Sequence, residues 1–175
     1  MSHRKITITL SSLLVFALHT WAQTPLQHQH PNLNLTVVDG AKNPELIPDS
    51  TAYRVWFVTV SLPPNAGEKE RKFQQAHLSK LRLTSNLDYL QLLTILTGFK
   101  SKYLALIAQY NESAKAALPG IADQQSFLQQ RDDLVSSTRA AIKAHLTSDS
   151  TIRIDAHVQG EKARIQIHTT GEARP

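Results

Sequence analysis

The sequence predicts an all-α domain of four to five helices built around one long central helix at about residues 86–118. Three observations predict this fold class. Core-type residues recur through that segment at the spacing of one helix face, Pro119-Gly120 follows it as a stop signal, and shorter amphipathic segments flank it. The 175 residues include no cysteine, so packing and not a disulfide framework must stabilise the domain.

The long helix shows the most regular pattern. Alternate steps of three and four residues meet a seam of core-type side chains: Tyr89, Leu92, Leu96, Phe99, Tyr103, Leu106, Tyr110, Ser113 and Ala117. Leu90, Leu93, Ile95, Leu104 and Ile107 widen this seam. Ser85 or Asn86 can cap the start of the helix. At 1.5 Å per residue, about 32 residues make a rod of about 48 Å.

Two further helices have shorter faces. The first covers about residues 66–81, where the spacing turns Phe73, His77 and Leu81 toward the core. The second starts at Asp123, interpreted as its cap, and ends near Leu146. With the long helix they make three of the expected helices.

The segment 49–62 has the composition of a strand and the boundaries of a helix. Its aromatic and β-branched residues favour a strand by propensity alone. Pro48-Asp49 is a helix-start signal, Pro63-Pro64 is a stop, and Ala52, Trp56 and Val60 share one helical face. These boundaries favour a helix.

The segment 151–168 is the second ambiguity. Apolar and polar residues alternate about a turn at residues 159–162, and this composition favours a β-hairpin that pairs Ile154 with Ile165. The helical alternative takes Ser148 or Ser150 as its cap. The alternative fold class is therefore α+β with a C-terminal β-hairpin.

The first 22 residues have the build of a secretory signal peptide. Arg4 and Lys5 give a basic start, residues 6–18 form an uncharged apolar run, and Thr20-Trp21-Ala22 is a cleavage site. The run is shorter than the ~20 residues that span a membrane as a helix, and no later segment is long and apolar enough to do so. We therefore expect a periplasmic or secreted protein that begins at Gln23.

The processed chain divides into three parts by composition. Residues 23–48 carry four prolines and form an extended arm, within which Leu33, Leu35 and Val37 alternate with polar residues up to a turn at Asp39-Gly40. Residues 49–168 form the helical domain, and residues 169–175 form a flexible C-terminal tail.

Charge and composition exclude several classes of partner and site. Removal of Arg4 and Lys5 lowers the formal net charge from +5 to +3, and no concentrated basic stripe of the kind that binds nucleic acid is present. The lack of cysteine excludes thiolate and cysteine-ligated metal chemistry. No nucleophile elbow or glycine-rich phosphate loop occurs either. The sequence indicates no catalytic residue and no cofactor.

Two sets of residues are candidate binding sites. His28 and His30 offer two imidazoles to a divalent metal ion, although polar residues of a solvated arm have the same pattern. The aromatic side chains of the long helix can line a groove for a partner, although core packing is the commoner role of such a stripe. These aromatic residues are Tyr89, Phe99, Tyr103 and Tyr110.

Several strings of residues resemble known proteins. Asn43-Pro44-Glu45-Leu46-Ile47-Pro48-Asp49, Ala52-Tyr53-Arg54 and Asp155-Ala156-His157-Val158-Gln159-Gly160-Glu161-Lys162 resemble a group of small exported, uncharacterised helical proteins of soil bacteria. That resemblance implies a helix for both ambiguous segments. Leu83-Thr84 and Leu146-Thr147 are also similar to the Leu-Thr-x-x-Gln boxes of Spy-like periplasmic chaperones, with Leu87 and Ser150 in place of the glutamine.

These observations favour a non-catalytic, exported binding protein of the cell envelope, either chaperone-like or partner-binding. Its expected partner is another polypeptide or an envelope component. A small metal-binding or metal-stress protein is one alternative, and an extracytoplasmic enzyme without a readable motif is another. The oligomeric state does not follow from the sequence.

Overall fold

A computed structural model describes residues 35–116 and 120–170. Five α-helices and two short strands occur in these residues: β1 (Leu35–Asp39), α1 (Asp49–Val60), α2 (Glu68–Leu78), α3 (Asn86–Ala116), α4 (Ile121–His145), α5 (Ser148–Glu161) and β2 (Gln166–Thr170). Short 3-10 turns lie at Pro44–Leu46, Ser79–Leu81 and Lys162–Arg164. The predicted all-α architecture around one long helix is confirmed, with a two-stranded sheet in addition. The helices lie in a compact unit, Asp39–Ile165.

The helix α1 lies at the centre of this unit, where it contacts each of the other four helices. Its buried residues follow helical spacing: Ala52, Tyr53, Trp56, Phe57 and Val60. Pro48 in extended conformation precedes the helix, and Ser61 in extended conformation follows it. The boundary signals therefore predict this segment correctly, because burial between helices outweighs its local strand propensity.

Phe57 is the centre of an aromatic cluster. Its ring centroid lies 5.6 Å from that of Tyr53, 5.4 Å from that of Trp56 and 5.1 Å from that of Phe99 on α3. Tyr103, one turn beyond Phe99, stacks on it at 5.5 Å. Tilted and offset aromatic pairs at these distances add to the free energy gained from apolar burial, so this cluster holds α1 against α3.

The long helix α3 has the predicted start, and residues 117 and 118 of the predicted segment lie outside the described residues. The backbone N–H of Asp88 donates to Ser85 Oγ at 3.2 Å, which is the expected N-terminal cap. The seam is buried at Leu92, Leu96 and Phe99. Further along the helix it is half-buried at Tyr103, Leu106 and Tyr110 and exposed at Ser113. The prediction that Leu90 and Leu104 widen the buried seam is wrong, since Leu90 is 53% exposed and Leu104 is 44% exposed.

The prediction that Phe73, His77 and Leu81 face the core is also wrong in part. Phe73 is 47% exposed and stacks on His77 with ring centroids 4.0 Å apart, while Leu78 and Leu81 are buried. Most residues of α2 are polar, so this helix cannot bury a wide face. Only its C-terminal end, at Leu78, is buried in the core.

Two predicted caps are replaced by neighbouring residues. Asp123 lies in the first turn of α4, where its Oδ2 accepts from the backbone N–H of Gly120 at 3.1 Å, and Gly120 holds the cap position. Thr147, and neither Ser148 nor Ser150, caps α5 through its side-chain oxygen. Buried Asp88 fixes this cap because its Oδ2 accepts from the backbone N–H of Thr147 at 3.2 Å and from its hydroxyl.

The C-terminal segment combines both of its predicted states. Residues 151–161 belong to α5, which confirms the helix and excludes pairing of Ile154 with Ile165. Strand β2 follows and pairs with β1, the strand predicted from Leu35 and Val37. The predicted boundary at residue 168 thus falls inside a strand, because β2 has its partner in a segment distant in sequence.

Gly40 occupies a position that no larger residue fits. Its backbone N–H donates to the carbonyl of Ile165 at 2.9 Å. A Cβ atom at this position would lie 2.0 Å from the carbonyl oxygen of Lys162 and 2.7 Å from that of Ile165. Both obstacles are backbone atoms, which a side-chain rotation cannot move away.

We therefore expect Gly40→Ala to lower the free energy of unfolding by about 1–3 kcal/mol, the usual cost of forcing extra atoms into a packed site. Gly160→Ala is the matched control, since a Cβ there meets nothing within 4 Å, and it should stabilise the helix by about 0.5–1 kcal/mol. Urea unfolding of both variants measures the difference. Equal free energies for Gly40→Ala and the parent would contradict the close packing.

Candidate functional site: the distal hairpin

Helices α3 and α4 are much longer than the helices that cover them. They contain 31 and 25 residues, against 12, 11 and 14 in α1, α2 and α5. At 1.5 Å per residue, α3 is about 46 Å long and α1 about 18 Å. We call residues 100–116 of α3 and 121–134 of α4 the distal hairpin. None of the side chains that the structure describes in it is buried.

In the distal hairpin, the seam of α3 packs against α4 alone. Tyr103, Leu106 and Tyr110 on α3 are half-buried, as is Phe127 on α4. The rings of Tyr110 and Phe127 lie 4.6 Å apart. Because each helix covers only one side of these residues, the outer part of the seam stays open to solvent.

A cleft of about 100 Å³ opens along this seam, which we call the distal cleft. It is lined by Leu106, Gln109, Tyr110, Ser113, Asp123, Ser126, Phe127 and Gln130. Gln130 Nε2 donates to Ser126 Oγ at 3.0 Å, and Ser113 Oγ donates to the carbonyl of Gln109 at 3.1 Å. The lining thus combines aromatic and aliphatic side chains with amide and hydroxyl groups.

The four aromatic residues predicted to share a groove lie in three different places. Phe99 is 2% exposed and belongs to the core. Tyr103 stacks on it, and Tyr110 lies in the distal cleft. Tyr89 lies some 21 residues before Tyr110, about 32 Å along the helix. The sequence alone did not place Phe127 beside Tyr110, although the stop at Pro119-Gly120 implies an antiparallel neighbour for α3.

Tyr89 lines a second cleft, of about 380 Å³, between the end of α2 and the start of α3. Arg82, whose backbone is left-handed with φ 50°, forms part of its wall with Leu83 and Gln75. Unlike the distal cleft, this cleft has no pair of aromatic side chains in its lining.

The predicted metal ligands His28 and His30 lie outside the described residues. Within residues 35–116 and 120–170, no group of three or more histidine, aspartate or glutamate side chains is arranged to hold a metal ion. In the same residues, no helix is long and apolar enough to cross a membrane.

A charged cluster joins α1, α4 and the end of α5. Asp49 Oδ1 accepts from Lys162 Nζ at 2.7 Å and from Gln159 Nε2 at 3.0 Å, and Arg139 Nη1 lies 3.6 Å from Asp49 Oδ2. The hydrogen bond from Gln159 and then that from Lys162 hold the pKa of Asp49 below its ordinary value. Asp49 thus connects α1 to α4 and to the end of α5.

The same cluster contains a second carboxylate. The Tyr53 hydroxyl donates a hydrogen bond to Asp155 Oδ1, and the Arg139 guanidinium lies 4.5 Å from the centre of the Tyr53 ring. Burial raises the pKa of Asp155, and the nearby charge of Asp49 raises it further.

Comparison of this chain with family models, with curated proteins and with solved structures gives no match. Inference about binding therefore rests on the geometry of the described residues.

His157 makes stability depend on pH. Burial lowers its pKa, and its ring lies edge-on to Trp56 with centroids 6.3 Å apart. The unfolded chain therefore takes up the proton first, so we expect stability to be full above about pH 6.5 and to fall as the pH drops through the folded-state pKa. Urea midpoints at about pH 7.5 and 5.5 measure this loss.

His157→Gln should make the difference between these two midpoints smaller, because it removes the titrating group. His145→Gln is the control, since His145 is exposed on α4. A midpoint difference in His157→Gln as large as that of the parent would show that other groups cause the loss.

Proposed function

We propose that this protein is an exported, non-catalytic binding protein of the cell envelope that holds another polypeptide at the distal cleft. The observation that carries the proposal is the distal hairpin itself. Its seam continues the hydrophobic face of the core for about 25 Å along α3, yet none of its described side chains is buried. Exposed apolar surface of this kind marks interaction sites in many proteins.

The mixed lining of the distal cleft fits a polypeptide segment, which offers both apolar side chains and polar backbone groups. Its volume of about 100 Å³ accommodates about three water molecules or one small apolar group. Tyr110 and Phe127 offer aromatic surface to such a group. Gln109 and Gln130 in the lining can donate to, and accept from, a peptide backbone.

The electrostatic character of the site supports the same class of partner. Within the cleft lining, Asp123 is the charged residue, and its carboxylate already accepts from the Gly120 backbone N–H. The uncharged amide and hydroxyl groups of the lining give little selection among charged ligands, and this suits a site that accepts varied polypeptide sequences. A chaperone-like role is one form of this function.

Binding of a permanently unfolded polypeptide tests the proposal. We expect the purified protein to bind fluorescently labelled, reduced and carboxymethylated α-lactalbumin, with binding followed by anisotropy. Replacing both Tyr110 and Phe127 by alanine should weaken binding by about tenfold or more, which corresponds to about 1.4 kcal/mol.

Phe73→Ala is the matched control for that experiment, because Phe73 is also an exposed helical aromatic residue but lies on α2. It should bind like the parent. Circular dichroism must show equal helix content in all variants. Failure of the parent to bind at high micromolar concentration, or equal binding by the double variant, would refute the proposal.

Export is the second part of the proposal and rests on residues 1–22. With a basic start, a short apolar run and a cleavage site ending at Ala22, we expect cleavage before Gln23. The intact mass of the extracytoplasmic protein should correspond to residues 23–175, with or without loss of ammonia from Gln23. A mature species that retains Arg4 and Lys5 would overturn it.

A further inference from the structure

The second cleft, between the end of α2 and the start of α3, is large enough for a small molecule. Its volume of about 380 Å³ lies in the range of ~300–1,000 Å³ that is typical of small-molecule sites. The proposed polypeptide binding does not use this cleft, so its chemistry is considered by itself.

The lining of the second cleft carries a positive charge. Among the described residues that line it, Arg82 alone is charged. Within residues 35–116 and 120–170, the Arg82 guanidinium forms no ion pair. Its charge is therefore available to an anion in the cleft.

Two carboxylates next to this lining have other partners. Asp88 is 2% exposed, and its Oδ2 accepts from the backbone N–H and the hydroxyl of Thr147. Asp149 Oδ2 accepts from Thr84 Oγ1 at 3.5 Å and lies 2.8 Å from Arg153 Nε. Neither carboxylate pairs with Arg82.

Arg82 has an unusual backbone conformation. Its φ of 50° is the one positive φ among the non-glycine residues that the structure describes. Glycine adopts this conformation without a steric penalty, whereas a residue with a Cβ atom does not. Residues held in this conformation cluster at ligand sites, so an arginine here points to a use for its side chain.

The other polar groups of the lining can bind the same anion. Gln75 and Asn86 have amide N–H groups, and Tyr89 has a hydroxyl group. Ser85 Oγ accepts from the backbone N–H of Asp88 at 3.2 Å, which leaves its own proton free to donate. The cleft thus has neutral donors in addition to its one cation.

The lining also contains apolar surface. Leu78 is 1% exposed, and Leu83 and Tyr89 are half-buried. An apolar group that covers these side chains removes their remaining apolar surface from water, which favours binding. A ligand suited to this cleft therefore combines an anionic group with an apolar body.

We propose that the second cleft binds a small organic carboxylate with an apolar body. The planar guanidinium of Arg82 matches the two oxygens of a carboxylate, and one free cation balances one negative charge. The apolar body lies against Leu78, Leu83 and the Tyr89 ring. This binding is independent of the distal cleft, so neither proposal requires the other.

Titration of the isotope-labelled protein with cinnamate, followed by amide NMR signals, tests this proposal. Signals of residues 75–89 should shift and saturate, whereas those of Tyr110 and Phe127 in the distal cleft should not. Cinnamamide is an uncharged analogue of the same shape. It should bind about tenfold more weakly, because it cannot form charge-assisted hydrogen bonds with Arg82.

Arg82→Gln should weaken the binding of cinnamate by about tenfold or more, because it removes the cation. Lys80→Gln is the matched control and should bind like the parent, since Lys80 is also exposed but does not line the cleft. Arg82→Gly should lose binding to the same extent as Arg82→Gln. Its urea midpoint should equal or exceed that of the parent, because glycine adopts the left-handed conformation freely.

Three results would overturn the proposal. Absence of saturable shifts at residues 75–89 of the parent in millimolar cinnamate would exclude the site. Equal affinity for cinnamate and cinnamamide would exclude the carboxylate contact. An equal loss of affinity in Arg82→Gln and Lys80→Gln would show an effect of net charge and not of a contact in the cleft.

Discussion

The burial of α1 is the constraint on which the helical unit depends. Phe57 is 0% exposed, and its ring contacts those of Tyr53, Trp56 and Phe99. Full burial of one large apolar side chain stabilises a domain by about 1.5–3 kcal/mol, and α1 buries several against all four other helices. The packing of α1 therefore stabilises a chain that has no disulfides. The other helices are positioned by their contact with α1.

The length of α1 also determines where binding surface is left. A helix of 12 residues can cover only about 18 Å of its neighbours, whereas α3 continues well beyond Phe99. The seam runs along the whole of α3, but other helices enclose it only near α1. Leu96 is therefore fully buried and Leu106 half-buried, although the two residues are equivalent in the sequence pattern. The distal cleft results from this mismatch in helix length.

The charged side chains near α1 connect helices to one another. Asp49 on α1 pairs with Arg139 on α4 and with Lys162 just after α5. Asp88 likewise connects the start of α3 to the cap of α5. These charged groups have partners inside the fold. The lining of the distal cleft is uncharged except for Asp123. This contrast in chemistry separates the surfaces that stabilise the domain from the one proposed to bind another polypeptide.

Local sequence signals determined the start of α3 at Ser85, the helical boundaries of α1 and the strand that ends at Asp39-Gly40, because capping groups, prolines and turn residues act within a few positions. Tertiary structure decided the rest. The partner of β2 is β1, distant in sequence, and Phe127 meets Tyr110 only because α3 and α4 pack together. Periodicity shows which side chains share a face, but burial depends on whether another helix reaches that face. For this reason Leu92 is enclosed and Leu90, two residues away, is exposed.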